Sequence, residues 1–246
     1  MNIETLTRHT NVLIATAHGD DFEMHFSGAA HALQEHGTEV RSVVATDGDA
    51  TTLNYSGSPL ATPLDVARRR RAESVAAHAV QGLAAHYLGL PDGMLHNSHY
   101  LHALAQSLST LAVLHDVSAI ITFNPEDGYC GHGDHQAIGR AALNARHKLR
   151  AENHLIDLFY INSDHQGDIK VPVHAQRKLA LLALHRTQMQ IHADATGRLY
   201  PDQAFWHTPE RQIYHPLLTC ETYDQVPAIA HDMARPYARA AEEVFI

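Results

Sequence analysis

The stretch that decides the fold is NVLIATAHGDDFEMHFSG, residues 11 to 28. Its first part, NVLIATA (11 to 17), is a short apolar run with β-branched residues, which predicts a buried strand. The segment HFSGAAHALQEHG (25 to 37) has a helical pattern and ends at a glycine. His18, Asp20 and Asp21 stand between the strand and the helix. These side chains either end the strand and cap the helix, or hold a reactive group.

Strand-like runs and helical patterns alternate along the rest of the chain. This alternation predicts an α/β fold with a mostly parallel sheet that is covered on both faces. No internal repeat, low-complexity segment or linker interrupts it, so a single domain over residues 1–246 is the simplest partition. Further strand patterns lie in 38–48, which ends in a turn, in 85–93 and 117–128, which each run from a strand into a loop, and in 154–162. The further predicted helices span 63–83, 98–116, 133–149 and 173–191.

Composition narrows the class of protein. Eighteen basic and 27 acidic residues give a net charge of −9, the wrong sign for a nucleic-acid-binding surface. No apolar run approaches the ~20 residues that a membrane span needs, and the start MNIETLTRHT lacks a signal-peptide pattern, so we expect a cytoplasmic protein. Cys130 and Cys220 lie far apart and form no CxxC motif, which argues against a disulfide scaffold or a cysteine-rich zinc site. We expect a small-molecule partner; whether the chain forms a homo-oligomer stays open.

A second histidine segment follows another predicted strand. It reads GYCGHGDH (128 to 135) and follows VSAIITFNPEDG (117 to 128), a predicted strand that runs into a loop. In open α/β sheets, ligands bind in the crevice beyond the carboxyl ends of the strands, so both histidine segments are predicted at one edge. A dinucleotide site is not expected, because no GxGxxG follows the first strand.

The residue types in the two segments suit a metal. His18 and Asp21 are three residues apart across a tight strand-to-helix turn, and His132 and His135 have the same spacing. Imidazole and carboxylate are good zinc ligands, and three protein ligands with an open fourth position form a catalytic zinc site. Asp20 then points elsewhere and is available to accept a proton from water.

Two alternatives remain at this point. Asp21 and Asp134 are also suitable as helix N-caps, and aspartate is favourable near a helix N-terminus in any case. Histidine can also act as a nucleophile or proton shuttle without a metal. Four ionisable groups close together nevertheless fit metal-assisted hydrolysis better. Glu23, in the same stretch, is interpreted as an ordinary first-turn helix charge.

Seven segments together resemble the LmbE-like (PIG-L) zinc N-deacetylase family. AHGDDFEMHFSG resembles its AHPDDxE-type motif, and GHGDHQAIG resembles its HPDHxxxG motif. Glycine replaces proline in both motifs, at Gly19 and Gly133. The resemblance runs from about residue 11 to residue 224. Minor motifs follow in family order: VVATDGDA (43 to 50), RRAE (70 to 73), LGLPDG (88 to 93), KLALLALHRTQ (178 to 188) and CETY (220 to 223).

The resemblance implies a Rossmann-like three-layer α/β fold and hydrolysis of an N-acetyl group, generally on an amino sugar of the N-acetylglucosamine type. It also implies a role for each matching residue. His18, Asp21 and His135 correspond to the zinc ligands, Asp20 to the general base, His132 in its protonated form to the group that stabilises the tetrahedral oxyanion, Asp134 to a residue that orients a histidine, and Arg70, Asp92 and Asp49 to substrate contacts.

Two other functions are compatible with the sequence. The chain is also compatible with an amidase for another sugar or thiol conjugate, and with a metal-binding or sugar-binding module that does not catalyse. Asp20 and His132, both present, argue against the non-catalytic reading. Zn²⁺ is the expected cofactor, although Fe²⁺ or Co²⁺ suits the same nitrogen and oxygen ligands.

Overall fold

The computed structural model describes residues 3–50, 54–55, 58–59, 62–129, 131–161, 169, 171, 173–188 and 213–214. Cys130, Cys220 and the CETY segment lie outside the described residues. The strands are β1 (Asn11–Thr16), β2 (Glu39–Thr46), β3 (Asn54–Tyr55), β4 (Ser58–Pro59), β5 (Ala84–Leu90), β6 (Ala119–Phe123), β7 (Asp157–Ile161) and β8 (Ile213–Tyr214). The helices are α1 (Glu4–Thr7), α2 (Ser27–Glu35), α3 (Pro63–Val80), α4 (Ser98–Leu114), α5 (Gly133–Ala151) and α6 (Ala175–Leu182).

Five parallel strands form the sheet, in the order β5-β2-β1-β6-β7, and the short β8 pairs antiparallel with β7 at one edge. The apolar runs explain why these strands lie inside: Val12 to Thr16 of β1 and all of β6 are buried. Helices flank the sheet, so the predicted α/β fold with a mostly parallel sheet is confirmed.

The order of the strands locates a crevice. From β1 the chain passes to β2 on one side, whereas β6 lies on the other side of β1. Ligands bind where the strand order reverses in this way, at the carboxyl ends of the strands. The HGDD segment follows β1 and the HGDH segment follows β6, so both stand at this point.

Two predicted helices differ from those observed. Residues Phe22–Phe26 form a π-helical turn before α2, and Ser27 donates its hydroxyl hydrogen to the Glu23 carbonyl oxygen at 3.0 Å. The predicted helix over 173–191 is shorter, since α6 ends at Leu182 and a 3-10 turn spans Arg186–Gln188. Tertiary contacts of buried side chains in both regions override the helical pattern.

Helix α5 packs tightly against the end of β6. A methyl group at Gly139 would collide with the carbonyl oxygen of Phe123 and would lie 2.7 Å from the backbone nitrogen of Pro125. The helix begins with His132 as its N-cap, because Nδ1 of His132 accepts the backbone N–H of Asp134 at 3.2 Å. This arrangement brings the first turn of α5 to the crevice beside β1.

No helix within the described ranges is both long enough and apolar enough to cross a membrane.

Candidate active site

The crevice at the carboxyl ends of β1 and β6 is a cavity of about 420 Å³. Seven of the nine predicted site residues line it; Asp49 and Asp134 do not. The full lining comprises His18, Asp20, Asp21, Met24, Ala50, Arg70, Asp92, Gly93, His132, His135 and Gln188.

The carboxylate of Asp21 is turned back towards β1. The backbone N–H groups of Ala17 and His18 donate to its Oδ2 at 3.1 and 2.8 Å. Because these donors precede Asp21, the side chain closes the strand-to-helix turn and makes no N-cap bond. Asp134 makes no cap either, since His132 has that position. The N-cap alternative is therefore wrong for both aspartates.

Three predicted ligands converge on this carboxylate. Nδ1 of His18 lies 3.3 Å from Asp21 Oδ2, and Nε2 of His135 lies 3.2 Å from Asp21 Oδ1. All three side chains are buried, and one ligand atom from each lies within 4.8 Å of the others. His135 is held flat by Phe123, with ring centroids 3.9 Å apart and planes 6° from parallel.

In His18 and His135, the ring nitrogen that points away from Asp21 faces a hydrogen-bond acceptor. Nδ1 of His135 lies 3.1 Å from the carbonyl oxygen of Gly128, so this nitrogen must carry the hydrogen. Nε2 of His18 lies 3.1 Å from Asp92 Oδ1 and 3.6 Å from Asp134 Oδ2. In their neutral forms both rings then direct a lone pair at the Asp21 carboxylate. Lone pairs that face each other in this way repel unless a cation lies between them, so the donor set fits a divalent metal such as zinc.

Asp134 joins two loops of the site. It is 1% exposed, and it accepts the backbone N–H of Gly93 at 2.6 Å and that of Leu95 at 3.0 Å. It therefore fastens the loop after β5, which carries Asp92, to the first turn of α5. Asp92 itself accepts the backbone N–H of Ala50 at 3.0 Å through Oδ2.

The charges of the site shift several pKa values. Burial lowers the pKa of His18, but Asp21 and hydrogen bonds to the surrounding carboxylates outweigh burial and raise it well above 6.5. Burial raises the pKa of Asp21, whereas His135 and His18 bring it well below 3.8. Burial raises the pKa of Asp92, but the contact with His18 outweighs burial and lowers this pKa to about 2. A cation that binds here must displace the proton of His18.

His132 differs from the form expected from the sequence. Burial, followed by the neighbouring His135 and His18, lowers the pKa of His132, which favours the neutral ring over the expected protonated form. Because Nδ1 accepts the Asp134 N–H, the neutral ring carries its hydrogen on Nε2. His132 is thus a neutral hydrogen-bond donor at the mouth of the cavity.

Arg70 contacts protein groups in the site. Its Nη2 donates to Asp20 Oδ1 at 2.8 Å, and its Nη1 donates to the carbonyl oxygen of Gly48 at 2.8 Å. Both Arg70 and Asp20 are buried, so this ion pair sets the direction of the Asp20 carboxylate. Asp49 is half-buried; among the described residues its neighbour Ala50 lines the cavity and Asp49 does not.

Sequence reasoning missed several residues of the cavity wall. Met24 and Gln188 line the cavity, although neither was expected to be a site residue. Glu23, expected to be an ordinary first-turn helix charge, is 0% exposed and bonded to Gln81 and His185. Gln188 closes the quoted KLALLALHRTQ segment, so a signal was available for it; Met24 carries none.

A second histidine cluster lies on the surface at His31, Glu35 and His174. Arg177 donates to Nδ1 of His31 at 2.8 Å. The neutral His31 ring then carries its hydrogen on Nε2, which faces Glu35 Oε1 at 3.4 Å. This nitrogen is a donor to the carboxylate, so the cluster is a hydrogen-bonded chain and differs from the buried site.

Solved structures share this fold. N,N'-diacetylchitobiose deacetylase from Pyrococcus horikoshii matches at a TM-score of 0.62 and 20% identity, covering 80% of this chain and 73% of that one. A zinc-inhibited form of teicoplanin deacetylase matches at 0.58 and 18%, covering 76% and 88%. The 4-carboxy-2-hydroxymuconate hydratase from Pseudomonas putida KT2440 matches at 0.58 and 17%, covering 74% and 84%. Because one of these neighbours is a hydratase, the fold alone does not assign an activity.

Sequence comparison identifies the family. No curated protein sequence matched the chain. The family model of the GlcNAc-PI de-N-acetylases (PIG-L) matches residues 13–146, more than half of the 246 residues and the part that contains both histidine segments. The chain therefore belongs to the PIG-L family, as its two histidine motifs predicted.

Proposed function

We propose that this chain is a metal-dependent N-deacetylase that hydrolyses the acetamide of an N-acetylated amino sugar or sugar conjugate. The observation that carries the proposal is the convergence of His18, His135 and the Asp21 carboxylate within 4.8 Å, with Asp20 in the same cavity wall. Family membership supports the reaction class. The deacetylases among the structural neighbours are consistent with it.

His18, Asp21 and His135 would hold the metal, with Zn²⁺ as the proposed ion. A bound Zn²⁺ supplies Lewis-acid polarisation of the scissile carbonyl and lowers the pKa of water in the site to about 7. Asp92 and Asp134 keep Nε2 of His18 engaged and so hold the ring with Nδ1 towards Asp21.

Asp20 has the role of the general base. The Arg70 guanidinium orients its carboxylate at 2.8 Å, which keeps it towards the cavity. Asp20 takes the proton of the attacking water, and a positioned base of this kind contributes about 10²–10⁴-fold to the rate. The same side chain returns a proton to the amine nitrogen as the amide C–N bond breaks, so acetate and the free amine leave.

His132 has the role of oxyanion donor. The amide carbonyl oxygen gains negative charge as water adds, and the Nε2–H of His132 is available at the cavity mouth to donate to it. A neutral donor suffices here because the charge develops only in the transition state.

The test is a screen of N-acetylglucosamine, N,N'-diacetylchitobiose and N-acetylated sugar conjugates for release of acetate and free amine. The protein is assayed zinc-loaded and after chelator treatment. We expect release by the zinc-loaded protein, loss of release with chelator and recovery when zinc is added back. Turnover that persists without metal would contradict the metal-dependent mechanism. Zinc binding with no release from any acetylated compound would favour the non-catalytic alternative.

A further inference from the structure

Gln188 lines the cavity, and no step of the proposed reaction uses it. Gln188 is only 2% exposed, and it is the last residue of the segment formed by residues 185 to 188 (the 185–188 segment). The segment follows α6, and the bond from the Gln188 N–H to the His185 carbonyl oxygen, at 2.9 Å, closes its turn.

Two buried carboxylates hold this segment in place. Nε2 of His185 lies 2.9 Å from Glu23 Oε2. The Thr187 hydroxyl donates to Glu73 Oε2 at 2.6 Å, and the Thr187 N–H lies 3.2 Å from both oxygens of Glu73. Glu23 and Glu73 are 0% and 1% exposed, so these bonds satisfy charges that are costly to bury alone.

The two carboxylates come from the elements that build the site. Glu23 belongs to the π-helical turn directly after Asp20 and Asp21, and Glu73 belongs to α3, one turn after Arg70. The segment that carries Gln188 is therefore bonded to the same two elements that carry the proposed base, Asp20, and its partner Arg70. A contact that only filled space would not need anchoring on both sides.

The Gln188 amide has hydrogen-bonding capacity beyond its contact with the protein. A primary amide offers two N–H donors and an oxygen with two lone pairs. Among the described residues its side chain makes one hydrogen bond, from Nε2 to the Thr187 carbonyl oxygen at 3.2 Å. The amide is neutral, so it suits a hydroxyl or carbonyl group of a ligand better than a charged group.

We propose that Gln188 is a substrate-binding residue that hydrogen-bonds a neutral hydroxyl or carbonyl group of the acetylated substrate, and that Glu73 and Glu23 act as positioning residues for it. The inference rests on the proposed deacetylase function. It adds a specificity-determining contact from Gln188, which lies outside the family match over residues 13–146.

The first test replaces Gln188 by methionine, which has similar length and no amide. With N-acetylglucosamine as substrate, we expect KM to rise about 3- to 10-fold and kcat to stay within about twofold, because one neutral hydrogen bond to the substrate is lost in both ground and transition states. Zinc content and the unfolding temperature should match the wild type. Gln34→Met is the matched control: Gln34 also donates a 3.2 Å bond to a backbone carbonyl, that of Gln81, but does not line the cavity.

The second test separates positioning from packing. Thr187→Val removes the hydroxyl bonded to Glu73 at nearly constant size, whereas Thr187→Ser keeps it. We expect KM to rise in Thr187→Val and to return to the wild-type value in Thr187→Ser. A purely structural role would instead lower the unfolding temperature of Thr187→Val and leave KM unchanged.

Each outcome decides one question. If Gln188→Met has the wild-type KM, the inference is overturned while the deacetylase proposal stands. If the wild-type protein releases no amine, the deacetylase proposal fails, and saturation-transfer NMR of N-acetylglucosamine with zinc-loaded protein decides on Gln188. A signal that weakens in Gln188→Met supports the contact; an equal signal in both proteins, or none with the wild type, overturns it.

Discussion

Nε2 of His18 and Oδ1 of Asp92 lie 3.1 Å apart, although 74 residues separate them in the sequence. Asp92 was expected to contact substrate, but this distance makes it a partner of a proposed metal ligand as well. We predict that Asp92→Ala weakens zinc affinity about 10- to 100-fold, as loss of such outer partners commonly does. Asp92→Asn, which keeps an acceptor oxygen, should lose less. Competition with a chromophoric chelator measures the affinity; a raised KM at unchanged zinc affinity would instead assign Asp92 to substrate alone.

Asp20→Asn separates the base from the metal. Because Arg70 bonds Asp20 and the three ligands are other residues, the variant should keep its zinc. We expect turnover to fall about 10²–10⁴-fold, the usual contribution of a general base. Acetate release and elemental analysis are measured on the same preparation. Full activity in Asp20→Asn would remove Asp20 from the mechanism.

His18→Ala should abolish stoichiometric zinc binding, since it removes one of three protein ligands. His9→Ala is the control, because His9 and His18 are both 8% exposed and His9 lies outside the cavity. The control should retain zinc. Equal zinc content in the two variants, measured by elemental analysis, would refute the ligand assignment.

Gly139 and Gly133 form a matched pair on α5. Gly139→Ala places a methyl group against the backbone of Phe123 and Pro125, so we expect a loss of about 1–3 kcal/mol in the free energy of unfolding. No atom lies within 4 Å of the corresponding position at Gly133, and Gly133→Ala should change stability by less than about 1 kcal/mol. Denaturant unfolding compares the two. Equal stability would mean that α5 does not touch β6 as closely as described.

The buried pair of Glu23 and His185 predicts a pH dependence. Burial lowers the pKa of His185, but Glu23, with smaller effects of Asp20 and Glu73, raises it above 6.5. The folded protein thus holds this proton more tightly than the unfolded chain. The resulting stability is fully present below about pH 6.5 and is lost as the pH rises through the folded-state pKa.

His185→Gln tests this dependence. We expect the variant to lose about 3–5 kcal/mol of unfolding free energy near pH 6 and less near pH 9. Guanidinium unfolding at both pH values gives the difference. His147→Gln, at an exposed position of α5, is the control and should show no such change between the two pH values. A His185→Gln deficit that grows with pH would contradict the sign.

The main elements of the fold and the centre of the site were predictable because local sequence carries them. The run NVLIATA predicted a buried strand, and the two histidine segments at strand ends predicted a shared site. The set of His18, Asp21 and His135, which the structure brings together, was implied by the resemblance to the PIG-L family. The alternation of strands and helices predicted a mostly parallel sheet, but not the order of its strands or the reversal at β1.

The burial of Glu23 and the position of Gln188 in the cavity wall were not predictable, because both depend on contacts between residues far apart in the sequence. Glu23 looks like a surface charge because its burial depends on Gln81 and His185, which are 58 and 162 residues away. Glu23 lies in the π-helical turn Phe22–Phe26, and the helical pattern that was expected here began only at residue 25. Helix α6 ends at Leu182, and the long-range bond between Thr187 and Glu73 holds the 3-10 turn that carries Gln188.

The position of the site between β1 and β6 has a consequence for the order of assembly. His18 and Asp21 follow one strand and His135 follows the other, and these strands become neighbours only when the sheet has formed. In the unfolded chain the three proposed ligands are therefore not held together, and zinc has no assembled site that could nucleate folding in the way that a zinc finger does. Metal loading would come after synthesis and collapse, as insertion into a finished framework. Chelation and reloading should then form a reversible cycle during which the circular dichroism of the protein stays unchanged.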